Sequence, residues 1–158
     1  MSGVSYNDAM SRNRAVAIVI HDGRLLVMFR KNESEYHTFP GGGIENDETN
    51  EQAAMREVYE ETSLKVEVDR LIYQLHHKNG DIHYYFLCRY IDGTPAVQPG
   101  TNEYEDNQLG IDIHTPQWLP LGGISKVNLY PLEVRNRLVQ DVETGFKEDV
   151  THFNLEAV

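Results

Sequence analysis

The sequence feature that most constrains the fold is Pro40, followed by three consecutive glycines and, shortly afterwards, by a helix-start signal. Glycine backbone carries no side chain to pack, so we predict a loop over residues 33–48, "ESEYHTFPGGGIENDE". Thr49 and Gln52 then have the spacing of a capping box, which begins a helix. The pattern predicts a helix from about residue 50 to 62 that directly follows a loop whose bare backbone can approach a ligand or an ion.

The predicted helix places three glutamates, Glu57, Glu60 and Glu61, on one face, because they fall at i, i+3 and i+4. Like charges at this spacing repel by ~0.2–0.5 kcal/mol per pair. One explanation is a solvated charged face. The other is a cation site, since hard oxygen ligands suit Mg²⁺ or Mn²⁺, and these ions also neutralise a diphosphate.

A separate stripe of the same helix is apolar, narrow and made of small or medium residues. It contains Ala54, Met55 and Val58. A stripe of this kind predicts that the helix packs closely against a neighbouring element.

The rest of the chain alternates between strand and turn patterns, with no repeat, low-complexity tract or linker. Strands are predicted at 14–20, 24–30, 64–77, 82–91 and 116–121, with hairpin turns at "HDG" and at Asn79-Gly80. Residues 92–115 are predicted to form a polar loop. A last helix is predicted from Pro131 to about Gly145. We interpret residues 1–158 as a single domain, with about 1–11 and 146–158 as mobile ends.

Composition and charge exclude several classes of function. The formal net charge is −11, and no basic footprint for duplex nucleic acid is visible in the sequence. No stretch approaches the ~18 apolar residues of a membrane span. The single cysteine, Cys88, excludes an internal disulfide, is expected to be a small apolar residue in a strand, and favours a cytoplasmic location.

Residues 42–64, "GGIENDETNEQAAMREVYEETSL", resemble the Nudix box, the signature of the Nudix hydrolases. The matching positions are Gly42, Glu48, Arg56, Glu57, Val58, Glu60, Glu61 and Leu64. Ser63 departs from the pattern, because the family has glycine there. The resemblance implies an α/β fold, an α/β/α sandwich around a mixed sheet, with the box as loop-helix-loop. It also implies Mg²⁺-dependent hydrolysis of a nucleoside diphosphate linked to another group, with Mn²⁺ as a substitute ion.

The resemblance also implies roles for individual residues. Glu57, Glu61 and Glu60 would bind metal with the help of the Gly42 carbonyl, while Glu60 is shared between the roles of ligand and base. Arg56 and Glu48 would orient these carboxylates.

Further site residues are implied outside the metal-binding glutamates. Arg30 would contact phosphate, and the backbone of Gly41 and Gly42 would approach the substrate. One more ligand or base is expected from the late acidic loop, where Glu103, Glu105 and Asp106 are the candidates. For Arg30 the alternative is a surface charge at a strand end. For each late carboxylate the alternative is a solvated loop position.

The resemblance leaves the substrate open. The small size and short lead-in are most similar to MutT-type nucleoside triphosphate pyrophosphohydrolases. The alternatives are a nucleotide-sugar or ADP-ribose pyrophosphatase, and a non-catalytic nucleotide-sensing domain. The expected partner is a small nucleotide, with no duplex nucleic acid and no membrane, for a monomer or a homodimer.

Overall fold

The structure, a computed structural model, describes residues 12–155. These residues form nine strands, three α-helices and one short 3₁₀ helix. The strands are β1 Arg14–His21, β2 Arg24–Lys31, β3 Glu35–Thr38, β4 Gly41–Gly43, β5 Lys65–His76, β6 Ile82–Asp92, β7 Ile113–Pro120, β8 Leu129–Tyr130 and β9 Thr151–Asn154. The helices are α1 Asn50–Thr62, α2 Asn102–Leu109 and α3 Leu132–Thr144, and the 3₁₀ helix is Leu121–Lys126.

The strands form one curled, mixed sheet with β1 near its centre. The order across the sheet is β8-β3-β2-β1-β6-β5-β9, with β4 also paired to β1 and β7 to β2. β1 runs parallel to β6 but antiparallel to β2 and β4. The opening end of β1 therefore lies beside the glycines of β4, while its closing end forms the predicted hairpin with β2.

Alternate residues of β1 face two different core clusters, which explains why the whole strand reads as apolar. Val16 and Ile18 pack in a cluster that also contains Val134 and Leu138 of α3. Ala15, Ala17 and Val19 pack in a second cluster with Ala53, Ala54 and Val58 of α1. The helices cover opposite faces of the sheet, so the predicted α/β/α sandwich is confirmed. The small residues on both sides of the α1 contact let this helix lie close to β1.

The box helix α1 begins and ends as the local sequence signals predict. The Thr49 hydroxyl accepts a hydrogen bond from the Gln52 N–H, and the Gln52 side chain accepts one from the Thr49 N–H. Ser63 ends the helix in the left-handed region, with φ 66° and ψ 6°. Its hydroxyl donates to the Ala96 carbonyl and accepts from Gln98 Nε2, the latter at 2.7 Å.

Part of the predicted loop 33–48 forms strands instead. β3 pairs with β2 and β8, and β4 pairs with β1. A Cβ on Gly41 would lie 2.6 Å from the Ala15 carbonyl oxygen, so only glycine can approach β1 this closely. Propensity argues against strand for three glycines, and this long-range pairing overrides it.

The predicted polar loop 92–115 contains a helix, α2. Thr101 caps its start by accepting from the Tyr104 N–H, and Gly110, at φ 72°, ends it. The helix has eight residues and none of them is buried, so it gave no periodic apolar signal.

The tail also differs in part from the expectation of mobility. Residues 151–154 form β9, which pairs in parallel with β5. The expectation for residues 1–11 and for the last three residues lies outside the described part of the chain. Cys88 is buried in the core, as expected of a small apolar residue, and burial raises the pKa of its thiol to about 12. No helix within 12–155 is both long enough and apolar enough to cross a membrane.

Candidate active site

Three acidic side chains and a glycine backbone line one cavity of about 400 Å³, which we call the carboxylate cavity. Glu57 and Glu61 reach it from α1, and Glu103 reaches it from the first turn of α2. Gly41–Gly43 of β4 form another part of its wall. Its cationic side chains are Arg14 and Arg30, which extend from β1 and β2.

The approach of Glu57 to β4 requires a glycine at position 42. A Cβ on Gly42 would overlap all three atoms of the Glu57 carboxyl group. The side chain of Glu57 is only 14% exposed, and Arg56 Nη1 donates to its Oε2 at 2.9 Å. The glycine of the box therefore provides the space in which this carboxylate is held.

Glu61 contacts the backbone of β4 directly. It accepts a hydrogen bond from the Gly41 N–H at 3.0 Å. Burial, and secondarily the charge of Glu57, raises the pKa of Glu61 to about 8. Burial also raises the pKa of Glu57, although Arg56 opposes that shift. Without a cation, the site disfavours ionising both carboxyl groups together.

Arg56 connects the helix to the preceding loop. Its Nε and Nη2 donate to the two oxygens of Glu48 at 3.0 and 2.8 Å, and Nη2 also donates to the Gly43 carbonyl at 3.0 Å. Glu48 raises the pKa of the Arg56 guanidinium, and in turn Arg56 lowers the pKa of the Glu48 carboxyl. This fork fixes Arg56, which then contacts both Glu57 and Glu60.

Glu60 faces a neighbouring cavity of about 510 Å³, which it lines together with Arg56, Glu57 and Glu103. Arg56 Nη1 lies 3.4 Å from Glu60 Oε1. Thus Glu57 and Glu103 line both cavities, whereas Glu61 lines the carboxylate cavity and Glu60 lines the neighbouring one.

The structure brings Arg30, Gly41 and Gly42 together with Glu57 and Glu61. Of the late carboxylates, Glu103 faces the cavity, Glu105 lies on the exposed side of α2, and Asp106 contacts His114. Arg30 Nη2 also donates to Asp112 Oδ2 at 3.0 Å.

Sequence reasoning missed several residues of the cavity wall. Arg14, Thr38, Phe39 and His114 all line it. Arg14 precedes the apolar run of β1, and Phe39 precedes the proline-glycine segment, but neither position carries a pattern that indicates a site. His114 is isolated in the sequence and comes to the cavity only through the pairing of β7 with β2.

A third cavity of about 550 Å³, which we call the aromatic cavity, adjoins the carboxylate cavity and shares Arg14, Thr38 and Phe39 with it. Its other walls include Tyr85, Tyr130 and the pair His77 and His83. The histidines near the β5–β6 hairpin form two imidazole pairs, His77 with His83 and His76 with His152.

The chain matches one protein-family model and is similar to one relative over a short segment. The sequence model of the NUDIX domain matches residues 11–137. A MutT-like protein from Streptomyces ambofaciens is 47% identical over 57 residues, which is 36% of this chain and 36% of that protein. The match thus spans about a third of this relative's length.

Solved structures share the fold at low sequence identity. A NUDIX hydrolase from Nitrosomonas europaea has a TM-score of 0.67 at 16% identity, covering 92% of this chain and 80% of its own. An ADP-ribose pyrophosphatase from Streptococcus suis has a TM-score of 0.63 at 18% identity, covering 91% and 98%. MutT from Aliivibrio salmonicida and Vibrio cholerae has a TM-score of 0.63 at 19% identity, covering 85% and 98%.

Proposed function

Because the chain belongs to the Nudix family, we propose that it is a metal-dependent hydrolase of a phosphoanhydride bond in a nucleoside diphosphate linked to another group. The observation that carries this proposal is the convergence of Glu57, Glu61 and Glu103 on one cavity beside bare glycine backbone. Three carboxylates in a shared cavity repel unless a cation or protons neutralise them.

The residues of the cavity fit divalent cations. The carboxylates Glu57, Glu61 and Glu103 offer oxygen donors, which suit Mg²⁺ or Mn²⁺, and the glycine at position 42 leaves room for the Glu57 carboxylate. Glu57 and Glu61 would hold the ions, with Glu60 and the Gly42 carbonyl as further ligands. When bound, such ions neutralise phosphate oxygens and make a water molecule more acidic.

The other side chains have roles in positioning and proton transfer. Arg30 would donate to a phosphate oxygen while Asp112 holds its guanidinium at 3.0 Å. Arg56 and Glu48 would orient Glu57. We assign the deprotonation of the attacking water to Glu103 in preference to Glu60. Glu103 lines both the carboxylate cavity and the neighbouring cavity of Glu60, whereas Glu60 is already engaged by Arg56 at 3.4 Å.

The substrate we propose is a nucleoside triphosphate, cleaved to a monophosphate and pyrophosphate. Its base would occupy the aromatic cavity, where Phe39, Tyr85 and Tyr130 offer apolar ring surfaces. A volume of about 550 Å³ is in the usual range for small-molecule sites. ADP-ribose and nucleotide sugars are the alternative substrates. We further propose action in the cytoplasm, as a single-domain monomer or homodimer, with no duplex nucleic acid or membrane as partner.

The experiment is a hydrolysis panel of nucleoside triphosphates, ADP-ribose and UDP-sugars, with Mg²⁺, with Mn²⁺ and with a chelator. We expect monophosphate and pyrophosphate from a triphosphate only when metal is present. Preferential cleavage of ADP-ribose or a nucleotide sugar would shift the assignment to the alternative. Nucleotide binding without any hydrolysis would instead indicate a sensing domain.

A further inference from the structure

Asp106, Asp112 and His114 converge outside the box, where α2 turns into β7. One ligand atom from each side chain lies within 4.8 Å of the others. Asn107 builds this corner, because its amide donates to the His114 carbonyl at 2.8 Å and accepts from the His114 N–H at 2.6 Å. Asp106, the residue before Asn107, is thereby held beside the imidazole.

Two buried ligand atoms of this cluster are unsatisfied. The side chain of His114 is 8% exposed, and its Nε2 has no hydrogen-bond partner among residues 12–155. Asp112 uses Oδ2 to accept from Arg30, while its Oδ1 is buried and likewise finds no partner in the described part of the chain. Buried polar atoms are normally satisfied, so two unpaired ligand atoms in one side-chain cluster point to an absent partner such as an ion.

Direct ion pairing does not satisfy the imidazole. His114 Nε2 lies 3.5 Å from Asp112 Oδ2 and 3.7 Å from Asp106 Oδ2. Charge-assisted N–H···O bonds are shorter, at ~2.7–2.9 Å. The separations instead resemble the ~3.4 Å between two ligands of a tetrahedral zinc ion whose bonds are ~2.0–2.2 Å long.

We propose that Asp106, Asp112 and His114 form a second metal site, which binds Zn²⁺ in preference to Mg²⁺. One imidazole nitrogen and two carboxylates suit zinc, whereas Mg²⁺ prefers oxygen ligands alone. The side chain of Asp106 is 44% exposed, so an ion can enter from solvent and water can complete its coordination.

An ion at this site would join α2 to β7 and fix Asp112, the partner of Arg30. Glu103 lies on α2, so occupancy would hold both Glu103 and Arg30 at the carboxylate cavity. This consequence for turnover rests on the proposed function. The binding of zinc does not.

The test uses metal-stripped protein carrying Glu57→Gln and Glu61→Gln, which removes the box site from the measurement. Zn²⁺ is titrated by calorimetry, and Co²⁺ is followed by its visible absorption. We expect one equivalent to bind, and we expect His114→Gln or Asp106→Asn in this background to abolish it. His21, which is half-buried and lies outside the cluster, is changed to Gln as the matched control and should leave binding intact.

The outcomes are distinct. If no zinc binds, or if it still binds after both His114→Gln and Asp106→Asn, the proposal is overturned. Loss of the zinc only on His77→Gln would overturn it in favour of the hairpin histidines. Should His114→Gln fail to fold, the more exposed Asp106→Asn decides the result. Because the background variant lacks the box ligands, absence of hydrolysis does not affect this measurement.

Discussion

Three glycine-to-alanine variants distinguish an effect on the stability of the fold from an effect on the candidate active site. The added Cβ would meet the Glu57 carboxyl group in Gly42→Ala, and strand backbone in Gly41→Ala. In Gly122→Ala it would meet no atom of the described chain within 4 Å, so this variant is the control. The same chemical change is thus made against a flexible side chain, against rigid backbone and against open space.

The size of each effect follows from what must move. In Gly42→Ala the end of Glu57 can swing away, at about 0.5–1.5 kcal/mol for an unfavourable rotamer. Its carboxylate then leaves the cavity, and a displacement of this kind costs about 10²-fold in turnover. In Gly41→Ala the Cβ would lie 2.6 Å from the Ala15 carbonyl oxygen, so β4 must separate from β1. Overpacking against backbone costs about 1–3 kcal/mol or more.

The assay pairs urea unfolding with kcat/KM on the best substrate of the hydrolysis panel. We expect Gly42→Ala to retain most of its stability and lose about 10²-fold in kcat/KM. Gly41→Ala should lose stability first, and Gly122→Ala should stay within about 0.5 kcal/mol of wild type. Activity of Gly42→Ala within a few-fold of wild type would refute the claim that this glycine makes room for Glu57.

Three further predictions test single side chains. Arg30→Ala should lower kcat/KM by an amount that corresponds to about 1.5–3 kcal/mol of lost transition-state stabilisation. The loss should be equal for every base, because a phosphate contact carries no information about the base. Lys31→Ala is the control, and a defect confined to one base would indicate that Arg30 contacts the nucleoside instead. In unfolding experiments Ser63→Ala should be less stable than Ser63→Gly by about 1 kcal/mol. Both variants lose the hydrogen bonds of the hydroxyl group to residues 96–98, but only glycine adopts the left-handed backbone conformation without strain. Equal stability of the two variants would show that this backbone is unstrained. Burial, and then His77, lowers the pKa of His83 to about 4, so its contribution to the free energy of unfolding is complete above about pH 6.5 and is lost as the pH falls through 4. His83→Gln should therefore flatten this acid dependence, while the half-buried control His21→Gln should not. Parallel curves for wild type and His83→Gln would contradict the assignment.

The parts of the molecule that follow from sequence are those governed by local signals. Thr49 and Gln52 are neighbours along the chain, and their capping box begins α1 where their spacing predicts. The spacing of Glu57 and Glu61 likewise depends only on helix geometry, and both reach one cavity. Ser63 takes the left-handed conformation that its position after a helix requires.

The parts that could not be predicted depend on distant partners. Gly41–Gly43 form a strand because β1 lies beside them, which no local propensity reveals. Arg14 lies 27 positions before Gly41 in the sequence, yet it lines the same cavity and contacts the Gly41 carbonyl. In a loop, Glu103 and Glu105 are equivalent candidates. Only the helical turn of α2 directs the first to the cavity and leaves the second exposed.

We propose that the box carboxylates support metal-dependent cleavage of a phosphoanhydride bond. The most direct test of this role is single-turnover hydrolysis of a nucleoside triphosphate with Mg²⁺, comparing wild type with Glu57→Gln. Glu51→Gln is the control, because Glu51 is exposed in the first turn of the same helix. We predict loss of turnover by orders of magnitude in Glu57→Gln, with folding retained and Glu51→Gln near wild type. Turnover of Glu57→Gln within a few-fold of wild type would contradict the claim.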